Sequence, residues 1–225
     1  TMLNLAARSG NSTGKALANN RVILGVPDGG ANAPLLRDRD VLAVSSLDQQ
    51  AFNQRLLAHS PYAPVDNLLS VREPTLWEKI QRRLSGDWAS DGVDADRYFS
   101  SSSAWRGFIS YRSPWNLQRV VVVAMASSDD QLAKLEDDLN SPRINAGIRG
   151  DTAVITSDNG VRSFQVSTPF PSGQMPWYMM AVWYANQHSG LLAVLGLITT
   201  SILGLALTAM FKRHARKRLD SGESQ

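Results

Sequence analysis

Gly10-Asn-Ser-Thr-Gly14-Lys15 is the first stretch whose residue types suggest chemistry, because glycine-spaced amides followed by a lysine can cradle phosphate oxygens. A phosphate-binding loop needs four residues between its glycines and Ser or Thr after the lysine, whereas this stretch has three and then Ala16. It also follows a helical pattern, residues 2–8, rather than a strand, so a plain turn is the better reading. Gly25-Val-Pro-Asp28-Gly29-Gly30 does follow an apolar run, where doubly wound folds bind ligands. It lacks the G-x-G-x-x-G spacing, and Pro27 removes an amide donor.

The three histidines, His59, His188 and His214, fall at a Ser-Pro turn, beside a long apolar run and in a basic tail, so no two share a metal or a triad. Cysteine is absent, which excludes disulfides, thiol catalysis and cysteine-based metal sites. Asp28, Asp94, Asp96, Asp151 and Asp158 are carboxylates without a spacing that singles out an acid–base pair, and solvated loop or cap roles fit them. Trp77, Trp88, Trp105 and Trp115 have faces that can stack on sugars; Trp77, on a capped helix, reads as core, while Trp88 and Trp105 flank a loop. No catalytic, cofactor-binding or metal-ligating residue is assigned, and a non-enzyme is expected.

The elements that would position any site begin at the C-terminus. Residues 190–211 run for 22 positions without a charge. As a helix this run is roughly 33 Å long against a hydrocarbon core of about 30 Å, enough for one crossing with slight tilt. Residues 170–189 contain no Lys or Arg, whereas Lys212, Arg213, Arg216, Lys217 and Arg218 follow the run at once. Short basic flanks stay cytoplasmic, so the preceding residues are expected to face outward. The first 189 residues carry 18 Lys plus Arg and 18 Asp plus Glu, which leaves no basic excess for nucleic acid, while the tail suits anionic lipid. Ahead of the run, Pro176 suits the first turn of a helix, and Trp177, Met180, Trp183 and Tyr184 suit the headgroup layer. Residues 174–189 read as an interfacial amphipathic helix, with an aromatic belt lacking a separate helix as the alternative. Gly196, Thr200, Gly204 and Thr208 recur every four residues, a small-residue stripe against which a partner helix can dock.

The remaining pattern is α/β. Residues 21–26 (RVILGV) and 40–44 (DVLAV) read as buried strands. Ser46 is placed to cap a helix with Phe52 and Leu56 on one face, and Thr75-x-x-Glu78 is a capping box opening a helix with Leu76, Ile80 and Leu84 inward. Residues 85–104, with four consecutive serines and five charges, read as an extended or mobile loop. Residues 119–126 (RVVVVAMA) form a continuous apolar strand of the kind found in parallel sheets covered on both faces. Ser128-x-x-Gln131 caps a helix with Leu132, Leu135 and Leu139 inward and Asp129, Lys134, Glu136, Asp137 and Asp138 in water. The strand at residues 152–156 completes a βαβ unit, and Asn159-Gly160 turns into a hairpin with residues 161–166. One α/β domain with a mostly parallel sheet is expected.

Gly10-Asn-Ser-Thr-Gly14, then Ser113-Pro114-Trp115-Asn116 leading into the 119–126 strand, then the Trp/Tyr segment and one C-terminal anchor, resemble in that order the B-type subunit of bacterial cellulose synthase. The resemblance implies a flavodoxin-like domain over residues 1–168 in the periplasm, an interfacial helix over 174–189, an inner-membrane helix over 190–211 and a cytoplasmic tail over 212–225. It further implies a non-catalytic accessory subunit of a glycosyltransferase that uses UDP-glucose, with cyclic di-GMP acting on the catalytic partner, and a chain that is the C-terminal part of a longer exported protein. The expected partners are the catalytic subunit, membrane lipid, the nascent glucan and a second copy of the chain. A flavodoxin-like fold does not require flavin, and with no phosphate cradle at the strand ends no FMN is expected. Without the resemblance, an adaptor or sensor of another envelope complex fits the same residues. An anchored hydrolase or nucleotide enzyme fits less well, since no nucleophile elbow or complete phosphate loop is present.

Overall fold

The computed structural model describes residues 5–7, 14, 21–25, 33–77, 79–80, 91–156, 158, 160–173, 175–187 and 189–222. The chain divides into two compact units, one of Thr1–Trp77 with Ala89–Met175 and one of Glu78–Trp88 with Pro176–Gln225.

The first unit is organised around a strand whose apolar sequence buries both faces. Within Val120–Ala126, Val121, Val123 and Met125 enter one core cluster and Ala124 the other. In chain order the strands are β1 (Val41–Ser46), β2 (Tyr62–Val65), β3 (Leu68–Val71), β4 (Trp105–Arg112), β5 (Val120–Ala126), β6 (Thr152–Thr156) and β7 (Val161–Phe164). β2 and β3 pair as a separate hairpin, and the other five form one sheet in the order β1-β5-β4-β6-β7. Only β1 and β5 run parallel; β5–β4, β4–β6 and β6–β7 are antiparallel. The mostly parallel sheet expected from the sequence is therefore corrected to a mixed, mostly antiparallel one. The connection from β5 to β6 does bring back a strand of the same direction, but β4 lies between the two. The apolar run of β5 reports burial on both faces and carries no information about direction, and β4 supplies the antiparallel neighbour. The approach of β4 to β6 requires glycine at position 107, where a Cβ would lie 2.0 Å from the Ala153 carbonyl oxygen.

Helices cover this sheet. They are α1 (Ala33–Asp38), α2 (Gln50–Leu56), α3 (Asp91–Ser101), α4 (Asp129–Leu139) and α5 (Pro142–Gly147). The loop expected over residues 85–104 is corrected over its described part, because α3 buries Ala95, Tyr98 and Phe99 at helical spacing. Phe99 packs edge-on against Tyr62 at 5.8 Å and Trp105 at 4.8 Å between ring centroids. Two of the charges that make the segment look solvated are structural acceptors: Asp96 receives the Val71 amide at 2.8 Å, and Asp91 receives the Gln165 amide at 2.9 Å. The acidic residues thus tie α3 to β3 and to the segment after β7.

On the opposite face the Ser128 side chain caps α4 by accepting from the Gln131 amide, and Leu135 and Leu139 are buried with Ile144 and Ile155. Asp138, expected in water, is buried in an ion pair with Arg106 of β4. A guanidinium brought under α4 needs a charged acceptor, and the helix supplies it; Gln131 accepts a further bond from Arg106 at 3.0 Å. Ser46 does not cap α2. It is the buried last residue of β1, its carbonyl takes the Asn53 side-chain amide at 2.7 Å, and Gln49 stands at the N-cap.

Residues 21–25 are not a strand, and Val22 and Leu24 are exposed: an apolar run without a ladder partner leaves its backbone groups to solvent. Residues 76, 77, 79 and 80 are helical, but Leu76 and Ile80 are exposed instead of inward and Trp77 is not core. Trp105 is 1% exposed in the centre of the core, so it offers no sugar-stacking face. Most of the Gly10–Lys15 and Gly25–Gly30 loops, together with Glu78, Leu84, Trp88 and Asn159, lies outside the described residues.

Candidate membrane and partner segment

The second unit contains α6 (Trp177–Gln187) and α7 (Ser189–Gly222). Pro176 precedes α6 directly, its fixed φ suiting a helix start, and its carbonyl accepts the Met180 amide at 3.0 Å. The Trp/Tyr segment is helical over Trp177–Gln187. Trp177, Met180 and Tyr184 are exposed and Trp183 is half-buried; Trp177 and Tyr178 meet edge to face at 6.2 Å.

Within α7, Leu192–Arg213 is long and apolar enough to cross a membrane, and none of it is buried by the rest of the protein. Each side-chain hydroxyl of Thr199, Thr200, Ser201 and Thr208 donates to the carbonyl four residues back at 2.8 Å. These groups are therefore satisfied within the helix and tolerate hydrocarbon. A Cβ added at Gly196 or Gly204 would meet nothing within 4 Å, so the stripe of Gly196, Thr200, Gly204 and Thr208 is open to an approaching helix. Rows spaced by four residues are the ridges that interdigitate when two helices cross closely.

The basic cluster continues the same helix. Lys212 and Arg213 are exposed at the end of the apolar stretch, and the backbone stays helical through Arg216, Lys217 and Arg218 to Gly222. The sequence carries the signal for this extension, since neither glycine nor proline occurs between Gly204 and Gly222.

In the first unit several ionisable residues are held by the fold. Asp151 accepts from the Val166 amide at 2.9 Å and from the Ser167 amide and hydroxyl at 2.5 Å each, fixing the chain after β7. The Tyr62 hydroxyl bonds Thr152 at 2.5 Å, and the Tyr111 hydroxyl donates to the Leu56 carbonyl at 2.6 Å; burial pushes both phenols well above their ordinary range. The Thr156 hydroxyl donates to Asp158 in the β6–β7 turn and lowers its pKa. Asp94 forms an exposed pair with Arg97 at 3.6 Å, and Asp28 lies outside the described residues. Among the described residues no group of three or more His, Asp and Glu gathers to hold a metal. A cleft of about 780 Å³ runs beside β1, lined by Leu24, Leu35, Leu42 and Phe52 together with Arg39 and Asp48. Its lining is chiefly aliphatic and presents no pairing of nucleophile and base.

A mixed α/β domain on a chain whose last helix can span a bilayer is the class these features define. Residues 1–124 match the family described as cellulose synthase BcsB, second FD domain, and the chain belongs to that family. Its relatives include the cyclic di-GMP-binding proteins of Salmonella typhimurium and Escherichia coli K12, each 27% identical over 227 residues, covering 98% of this chain and 27% of the relative. The cyclic di-GMP-binding protein of Komagataeibacter xylinus is 23% identical over 190 residues, covering 80% of this chain and 23% of the relative. The chain spans about a quarter of the length of these curated relatives.

Proposed function

We propose that this chain is the membrane-anchoring portion of a non-catalytic cellulose synthase subunit, with its α/β domain in the periplasm and the end of α7 in the cytoplasm. The observation that carries the reading is the wholly exposed apolar span of α7 on a chain of this family. An exposed surface of that length needs lipid or another membrane helix, and the open glycine and threonine stripe suits the latter. The partner is then the catalytic subunit that polymerises UDP-glucose. Trp177, Met180, Trp183 and Tyr184 lie in the headgroup layer, and Lys212, Arg213, Arg216, Lys217 and Arg218 hold the cytoplasmic end. Binding of cyclic di-GMP belongs to the catalytic partner in this reading.

The test is UDP-glucose incorporation into insoluble β-glucan in nanodiscs holding the catalytic subunit with and without this chain. Synthesis should require the chain and should be lost when residues 174–211 are deleted. Synthesis that survives the deletion would overturn the reading.

A further inference from the structure

Leu76, Trp77 and Ile80 are 80%, 71% and 50% exposed, an arrangement that water disfavours. At about 100° per residue these three side chains fall within one arc of about 100°, and Lys79 falls outside it. Over residues 72–84 the carboxylates Glu73 and Glu78 stand against Arg72, Lys79, Arg82 and Arg83, so the excess is positive. The unit boundary falls inside this segment: Leu76 and Trp77 end a stretch of the first unit, and Ile80 lies in Glu78–Trp88, which belongs with Pro176–Gln225 and its membrane-length span.

An apolar arc with a tryptophan, bordered by basic residues, is the composition of a helix that lies in a membrane interface. We propose that this segment is a second membrane contact, in which Leu76, Trp77 and Ile80 enter the boundary between headgroups and acyl chains and Lys79 meets anionic lipid phosphate. The inference rests on the reading that α7 crosses the bilayer and adds an attachment point about a hundred residues before α6 in the sequence. A bilayer suits the surface because its unpartnered apolar area and its positive border answer two properties of one anionic interface.

The absence of cysteine makes the test direct. The full chain is prepared as three single-cysteine variants, Ile80→Cys, Leu203→Cys and Asp130→Cys, each carrying an environment-sensitive fluorophore. Each is placed in nanodiscs of phosphatidylcholine and phosphatidylglycerol doped with spin-labelled lipid. The Ile80 probe should be quenched by headgroup-level label about fivefold more than the Asp130 probe in the first turn of α4, and the Leu203 probe by acyl-chain label. Replacing phosphatidylglycerol with phosphatidylcholine should lower the Ile80 quenching about fivefold, and Trp77→Ser should lower it about threefold. If Leu203 is quenched while Ile80 matches Asp130, the segment faces water or a protein and the inference fails alone. If Leu203 is unquenched, the membrane reading and the inference fail together. Quenching of Ile80 that ignores both lipid charge and Trp77→Ser would also overturn the proposal.

Discussion

In the first unit the strands, the aromatic residues and the charged groups beneath them are completed by the chain itself. Trp105, Ile109 and Tyr111 of β4 are buried against residues of α2 and α3, and Arg106 between them finds Asp138 on the other face of the sheet. The apolar stretch of α7 uses the same residue types with the opposite result, since no residue in its membrane-length window is buried. Hydroxyls make the contrast sharpest. Tyr62 and Thr152 satisfy each other across 90 residues of sequence, whereas Thr200 and Thr208 turn back to their own helix. A packed unit satisfies its polar groups through tertiary contacts, while a helix suited to a bilayer satisfies them within itself.

Substitutions that break this comparison should differ most at buried charge. Asp138→Ala leaves the Arg106 guanidinium buried without its carboxylate and should lower domain stability by about 3–5 kcal/mol in urea unfolding. Leu203→Ala, a truncation on the exposed span, should change the same unfolding free energy by less than about 0.5 kcal/mol. Equal losses would show that the two regions unfold as one. Gly107→Ala comes next: its Cβ meets the Ala153 carbonyl, so β4 and β6 must separate locally, at a cost of about 1–3 kcal/mol. Tyr62→Phe removes one buried hydroxyl bond and should cost about 1 kcal/mol, with the core otherwise retained.

The smallest effect concerns Asp158. Its folded pKa is lowered, so it contributes stability above the unfolded carboxylate value of about 4, and that contribution is lost as pH falls through the folded value. Asp158 is exposed, and the contribution is correspondingly small. Melting curves of Asp158→Asn and the parent chain should coincide at low pH and separate slightly near neutrality. Separation only at low pH would contradict the assignment.

Much of the local structure was legible in residue types. The Ser128 cap, the Leu135 and Leu139 face and the β6–β7 hairpin follow from short-range rules, and each involves partners within a few positions. The reading fails where a partner is distant. Asp138 sits on the polar side of α4 by pattern, and only β4, 32 residues earlier, turns that position inward. Residues 91–101 look solvated by composition, yet Asp91 and Asp96 bond backbone amides of Gln165 and Val71, far along the chain. Leu76 and Ile80 have the spacing of an inward face, yet they are 80% and 50% exposed.

The sequence by itself determined a helix long and apolar enough to cross a bilayer and its basic end, because that capacity depends on a contiguous run of side chains and on the flanks beside it. It also determined that β5 would be covered on both faces, since a strand without polar alternation cannot face water. Only the tertiary structure decided the direction of its neighbours, the insertion of β4 between β5 and β6, and the pairing of Arg106 with Asp138. Those outcomes depend on residues brought together across long stretches of chain, and a local pattern records that a side chain is buried without recording what it meets.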